Sequence, residues 1–209
     1  MSITYPLTFP THTGISSLTW TKRETVAVSE SPFTYSRQAV RHAGQRWEGT
    51  ITLPPMKRAD AEIWNAFFLK LNGQFGTFLM PDIAGQTAQG SASTTAGTPI
   101  INGGSQTGNS LNIDGLPVSE TDYLKAGDYI QLGSGSSSRL YKVLDDVDTN
   151  ASGEASLTIW PDLRSSPTDG ASVVVNNAKG LFRLANNEYD FNVNNVSFYG
   201  ISFAFVEAI

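Results

Sequence analysis

Short runs in which apolar and polar residues alternate recur along almost the whole chain, separated by glycine, serine, asparagine and proline. Leu18 and Trp20 alternate with serine and threonine, and Trp47, Ile51 and Leu53 fall on one side of a later run. A period of two is the pattern of a strand that buries one face. This feature constrains the fold more than any other, and it predicts a mainly β protein.

The first half of the chain holds two more candidate strands and one unusual glycine. Residues 25–28 and 33–35 are predicted as short strands. Gly49 stands in register with the apolar side chains around it, where a strand would otherwise carry a side chain. A glycine at such a place indicates a β-bulge or the close approach of another group to the backbone.

Residues 56–71 break the alternation and predict the one convincing helix. They follow a Pro-Pro pair, which a helix tolerates at its start but not in its interior, and Asn72-Gly73 supplies a left-handed stop. An aromatic stripe at the spacing i, i+3, i+4, i+7 belongs to a core far more often than to a ligand site, so we expect the helix to pack on a sheet. The stripe consists of Trp64, Phe67, Phe68 and Leu71, and Trp47 is the further expected core residue.

The composition changes after Pro81. Residues 85–109 are mostly small and polar, which predicts a surface linker. The next 65 or so residues alternate short apolar runs with turn signals, the pattern of a small barrel or sandwich. The expected strands are 111–113, 129–132, 140–144, 157–160 and 173–175.

Strong strand character returns near residue 181, in 181–184, 189–193 and 196–206. The last run has one strongly apolar face, so it should lie centrally in a sheet or pair with another chain. We therefore expect a discontinuous β-sandwich or barrel body with one α-helix, plus a small inserted all-β module. The body is residues 1–84, with helix 56–71, completed by 181–209, and the module is 85–180.

Charge and composition exclude several classes of protein. The net charge of -5 argues against nucleic-acid binding, which depends on clustered lysine and arginine. No apolar run approaches the roughly 20 residues that span a bilayer, and the N-terminus lacks the features of a signal peptide, so we expect no membrane partner and synthesis into the cytoplasm. Only 16% of the residues are charged, which suits a surface buried against other chains.

No residue pattern indicates catalysis or a cofactor. The chain contains no phosphate-binding G-x-x-x-x-G-K-[ST] loop, no G-x-S-x-G elbow and no H-E-x-x-H pair, and it has no cysteine. Its two histidines, His12 and His42, are expected to be ordinary surface or interface residues because nothing nearby completes a catalytic triad. We expect a protein that is not an enzyme and has no catalytic or cofactor-binding residue.

One acidic segment resembles the start of a calcium-binding loop. Asp146, Asp148 and Asn150 match the first three ligand positions of an EF-hand, but Ala151 and Leu157 stand where glycine and glutamate are required. A hairpin turn with hydrogen bonds from Asx side chains explains the same residues more simply. We therefore predict no metal ligands.

The segment 35–47 concentrates positive charge in an otherwise acidic chain. It is either a solvated loop or a surface that meets an acidic patch on a neighbouring subunit, for which arginine is well suited. The candidate interface residues are Arg37, Arg41 and Arg46.

Residues 46–81, RWEGTITLPPMKRADAEIWNAFFLKLNGQFGTFLMP, hold a strand, a proline-started helix and a Gly-Thr-Phe strand in that order. This order resembles the N-terminal body of siphophage distal tail proteins and minor tail proteins of the tail tip. LKAGDYIQLG, RLYKVLDDV, GEASLTIWPDLRSSPTDGASV and KGLFRLANNEYDF look like the β module that follows.

That resemblance implies a structural protein of the virion tail, assembled in the host cytoplasm. Its copies would form a hexameric ring that joins the tail tube protein to the tip or hub protein, with the tape measure protein as a further neighbour. Many distal tail proteins carry a larger C-terminal carbohydrate-binding-like domain where this chain has a short insertion, which leaves sugar binding open.

Two alternatives come from other functional classes. A carbohydrate-binding module for host surface glycans would use the ring of Trp160 or Tyr141, unless both are buried between strands. A cell-wall hydrolase would need paired carboxylates, and nothing singles out a pair among the 19 acidic residues.

Overall fold

The computed structural model describes residues 3–193 and 198–209. Strands predominate, and they form two sheets accompanied by one α-helix, so the predicted mainly β fold class is confirmed. The predicted strand 196–206 begins at a residue outside the described ranges, and its described part forms a strand from Tyr199.

The first sheet contains strands from both ends of the chain. Its order is β1-β4-β11-β13-β3-β2, and β12 pairs with β13 outside this path. The last strand therefore lies centrally, between β11 and β3, as its apolar face predicts. The strands are β1 (Leu7–Thr8), β2 (Ser17–Glu30), β3 (Arg37–Thr52), β4 (Phe78–Pro81), β11 (Lys179–Leu184), β12 (Phe191–Val193) and β13 (Tyr199–Glu207).

The second sheet curls into a nearly closed barrel. Its order is β10-β7-β8-β9-β6-β5, and its two edges meet where Ile100 bridges Ser172 and where the Ile101 N–H donates to the carbonyl of Ala171 over 2.9 Å. The sheet thus has almost no open edge. The strands are β5 (Ile100–Ile101), β6 (Ser110–Asp114), β7 (Tyr129–Leu132), β8 (Arg139–Val143), β9 (Ala155–Trp160) and β10 (Val173–Val174).

Helix α1 (Arg58–Leu71) begins two residues later than the start predicted from the Pro-Pro pair. Met56 remains extended because its backbone exchanges hydrogen bonds with Tyr199. Asn72 ends the helix in the left-handed conformation, as expected. The stripe of α1 is buried, so the helix packs on the first sheet through the predicted residues.

One face of the first sheet carries both the helix and the barrel. Ile51 and Phe203 pair across β3 and β13 and belong to the same buried cluster as the helix stripe. Trp47 lies on the same face of β3, and its ring meets the ring of Trp160 in the barrel edge-on at 4.4 Å between centroids. The opposite face is rich in serine and threonine, as in antiparallel sheets with one solvated face.

The barrel has a buried cluster made only of residues between 88 and 175. The strands of the first sheet accordingly lie before residue 82 and after residue 178, and those of the barrel lie between. Whether the two parts fold as separate domains, divided near 84 and 180, stays a prediction.

Three local predictions are wrong. Residues 33–35 form the turn between β2 and β3 instead of a strand, and the basic segment 35–47 is largely strand β3 instead of a loop. The expected linker 85–109 packs closely, because Ala88 and Ala92 are buried and the Gln89 N–H donates to the carboxylate of Asp128 over 2.8 Å. Small residues fill this space without giving an apolar pattern in the sequence.

Candidate interaction surface

A long β-hairpin extends beyond the first sheet. We call residues 26–41 the arm. Strand β13 pairs with β3 only from Glu48 to Thr52, so the arm consists of β2 and β3 alone. Every arm residue except Ser31 is exposed. An isolated two-stranded hairpin is marginally stable in water at best.

The arm presents apolar side chains on both faces. Cross-strand partners share a face, which places Val26 with Arg41 and Val28 with Ala39 on one side, and Val40 on the other. The three valines are each about half exposed. Aliphatic side chains at these positions lose little entropy when covered and gain from burial, so both faces suit a contact with another chain.

The tip of the arm displays two aromatic rings. Phe33 is 91% exposed and Tyr35 is 75% exposed. Tyr35 adopts a φ of 55°, a left-handed conformation that costs a non-glycine residue about 1 kcal/mol. Both rings therefore lie mainly in solvent, although aromatic side chains are enriched at interface cores.

The arm and its base are basic, and the rest of the chain is acidic. Residues 22–46 contain five lysines and arginines and two glutamates, a net charge of +3, so the remainder carries -8 of the total of -5. The arm and its base therefore differ in sign of charge from the rest of the chain.

The three candidate arginines have different surroundings. Arg37 is exposed and lies opposite Glu30 in the ladder. Arg41 forms an ion pair with Asp162 of the barrel, with 2.7 Å between Nη2 and Oδ1. Arg46 lies 2.6 Å from the carboxylate of Glu48. Of the three, Arg37 is the one whose guanidinium makes no ion pair within the described ranges.

Glu48 anchors the root of the hairpin. Its carboxylate accepts hydrogen bonds from Arg23 over 2.7 Å and from Arg46 over 2.7 Å. The hydrogen bond from Arg23, followed by that from Arg46, holds the pKa of the Glu48 carboxyl below its ordinary value despite partial burial.

The barrel joins the first sheet through a buried ion pair. The carboxylate of Glu207 lies 2.6 Å from Nη2 of Arg164, with both side chains largely buried, and it also accepts the backbone N–H of Trp47 over 3.1 Å. The indole N–H of Trp47 donates to the carbonyl of Leu140 over 3.0 Å. These bonds link β3 and the last residues of β13 to the barrel.

The rings proposed as sugar platforms are not on the surface. Trp160 is 8% exposed and Tyr141 is 2% exposed, so neither offers a free face for stacking on a sugar. Burial raises the pKa of Tyr141 above its ordinary value, consistent with this enclosed position. The alternative that both are buried between strands is correct.

The acidic segment near residue 150 organises turns. Asp146 accepts the Ala126 N–H over 2.9 Å, Asp148 accepts the Asp122 N–H over 2.7 Å, and Asn150 accepts the N–H groups of Ser152 and Glu154. The predicted Asx hydrogen bonds are therefore present. Residues 3–193 and 198–209 contain no group of three His, Asp or Glu side chains that could hold a metal ion.

The histidines lie apart. His12 is close to the carbonyl of Asp60, at 3.3 Å, whereas His42 lies on the exposed part of β3. Neither has a carboxylate or hydroxyl partner in the described part of the chain. No helix of the described residues is long and apolar enough to cross a membrane.

The patterns in the sequence did not predict the arm. The signal was available, because the run 17–30 and the run 37–52 flank the turn-like SPFTYS, with Glu30 and Arg37 placed to pair across it. The exposed stretch of the hairpin lacks the regular apolar alternation that identifies half-buried strands, so it resembled a loop.

Comparisons with known proteins do not assign a family. No protein-family model matches the chain, and no curated protein is significantly similar to it.

Proposed function

We propose that this protein is a structural component of a bacteriophage tail, similar to distal tail proteins. In this proposal its copies form a ring, a hexamer, that joins the tail tube protein to the tip or hub protein, with the tape measure protein nearby. The observation that carries the proposal is the arm, a hairpin whose apolar faces and aromatic tip are exposed because nothing in residues 3–193 and 198–209 covers them.

The distribution of open strand edges supports the same proposal. The barrel nearly closes on itself, whereas β2 is an edge strand of 14 residues in the first sheet. Unpaired edge strands are templates for pairing with another chain. An arm that leaves one copy and contacts a different surface of the next gives a heterologous interface, and such interfaces form a closed ring when the rotation closes.

The sequence resemblance supplies the biological setting. It covers nearly the whole chain, and its strand, helix and Gly-Thr-Phe strand correspond to β3, α1 and β4. The weakly charged composition fits a protein buried among other chains. The carbohydrate-binding alternative has lost the two rings on which it depended, and no observation favours hydrolysis of the cell wall.

The first test measures assembly. We expect native mass spectrometry of the purified chain to show a discrete ring-sized oligomer. A variant with Val26, Val28 and Val40 changed to serine should remain monomeric. The matched control changes Val118, Leu144 and Ile83 to serine, because these side chains are also exposed but lie outside the arm. Equal oligomer formation by both variants would show that the arm is not the docking element.

The second test concerns the setting. Mass spectrometry of purified virions of the encoding phage should detect this polypeptide at a fixed ratio to the tail tube protein. Virions with intact tails that lack the polypeptide would refute the proposal, as would turnover of peptidoglycan by the purified protein.

A further inference from the structure

We propose that residues 160–164 of the barrel act as a brace that fixes the direction of the arm. Asp162 and Gln45 are the positioning residues. The brace is a property of the single chain, and its use in ring assembly rests on the proposed function.

The arm leaves its base at a bulge. In the β2–β3 ladder Glu24 pairs with Gln45, but the next pair is Val26 with Arg41, so Thr25 alone opposes residues 42–44. The hydroxyl of Thr25 donates to the carbonyl of Gly44 over 2.9 Å, and a Cβ on Gly44 would lie 2.6 Å from that hydroxyl. Bulges interrupt the ladder and bend the strand, so this is where the arm is able to swing.

Below the bulge, Gln45 is held rigidly. It is 3% exposed, and its side-chain oxygen accepts the backbone N–H of Asp162 over 2.8 Å. Its amide donates to the carboxylate of Glu24 over 3.1 Å, and the indole N–H of Trp160 donates to the same carboxylate. A polar network in which the members satisfy one another favours a single arrangement. The barrel and the base of the arm are therefore joined firmly here.

Above the bulge, the carboxylate of Asp162 reaches the arm. It binds Arg41 at 2.7 Å, and Arg41 is the last residue of the arm before the bulge. Asp162 thus uses its backbone on one side of the bulge and its side chain on the other. Both partners of this ion pair are partly exposed, so it contributes little to the stability of the fold. The ion pair instead restricts the angle between the arm and the barrel.

A small swing has a large effect at the tip. Ser29 lies four residues beyond Thr25, about 14 Å along a strand, so a swing of about 20° displaces it by about 5 Å. Ring closure repeats any angular error at each interface, so an unbraced arm would impair closure.

The test measures the direction of the arm by pulsed electron spin resonance. The chain has no cysteine, so nitroxide labels on Ser29→Cys and Ser152→Cys report one distance between the arm and the barrel. Dilution with unlabelled protein removes distances between copies. We expect a narrow distance distribution for the otherwise unchanged protein, and a distribution about 5 Å broader for Asp162→Asn and for Arg41→Gln.

Three comparisons complete the design. Asp162→Glu keeps the carboxylate and should retain the narrow distribution. Arg37→Gln removes an arginine that makes no ion pair with any residue the structure describes, and it should change nothing. Molar salt should broaden the distribution of the unchanged protein, because it screens an exposed ion pair without requiring a substitution. An unchanged distribution in Asp162→Asn, Arg41→Gln and high salt would overturn the brace.

Assembly is measured on the same variants by native mass spectrometry. If the distribution broadens and rings form less completely, the brace serves assembly as proposed. If the distribution broadens while the unchanged protein forms no ring, the brace stands and the proposed function fails.

Discussion

Replacing Gly49 with alanine should destabilise the protein strongly, although it adds only one methyl group. Gly49 lies in the middle of β3 between Trp20 of β2 and Phe205 of β13. A Cβ built there would lie 2.5 Å from the ring of Phe205 and 2.5 Å from the carbonyl oxygen of Thr19. The first contact is with a fully buried ring and the second is with backbone, so neither group can move away easily.

The size of the loss in unfolding free energy depends on which groups would have to move to make room for the methyl group. Phe205 packs edge-on against Trp20 and Phe182, with ring centroids 5.2 Å and 5.1 Å away, so a shift of its ring disturbs the core. Adding a methylene to a well-packed core costs about 1–3 kcal/mol, and contact with backbone on one side places this substitution near 3 kcal/mol. A loss of that size would lower the melting temperature by about 6–12 °C in a chain of this length.

Urea denaturation followed by tryptophan fluorescence measures the change in unfolding free energy. The matched control is Gly200→Ala in β13, where a Cβ would meet nothing within 4 Å. The control should be neutral or slightly stabilising, because alanine restricts the unfolded chain. Combining Gly49→Ala with Phe205→Leu should recover part of the loss through a favourable coupling energy. Similar midpoints for the Gly49 and Gly200 variants would refute the close-approach argument.

Three further predictions concern stability. Glu207→Ala should cost about 3–5 kcal/mol in urea denaturation, because it leaves the guanidinium of Arg164 buried without its partner. Arg23→Gln at the exposed surface should leave the unfolding free energy nearly unchanged, and equal losses for the two variants would contradict the burial argument. Burial raises the pKa of Tyr123 to about 12 and that of Tyr189 to about 12, from 10.0, so the folded state favours their neutral forms. The resulting stabilisation of the folded state is fully present below pH 10 and is lost as the pH rises towards 12. Absorbance at 295 nm should show that these two tyrosines ionise at a higher pH than the exposed ones. Ionisation of all tyrosines near pH 10 in the folded protein would contradict this prediction. Finally, residues 85–180 expressed alone should fold with a cooperative thermal transition, because they contain their own buried cluster. Their melting temperature should be lower than that of the whole chain, because Tyr129, Leu140 and Trp160 lose their contacts with the first sheet. Absence of any transition would show that these residues are not a separate domain.

Local patterns in the sequence predicted most of the secondary structure. The strands near residues 111, 129, 140, 157 and 181 lie where the alternation places them, and the stop at Asn72 lies where the helical pattern ends. At Gly49 the ring of Phe205 approaches the backbone closely, which is one of the two alternatives, a β-bulge or a close approach, that the sequence indicated. These features could be predicted because the side-chain period and the backbone conformation depend on neighbouring residues, which the sequence shows directly.

The sequence alone therefore determined a β-rich chain with one helix on a sheet, and it drew attention to the arginines of the basic segment. Only the tertiary structure decided what those arginines do. It pairs Arg41 with Asp162, which lies 121 positions away, and it leaves Arg37 on an exposed arm. The physical reason is that barrel closure, the brace and the bare hairpin depend on contacts between distant segments. Local periodicity records which residues are buried, but not which distant residues meet them.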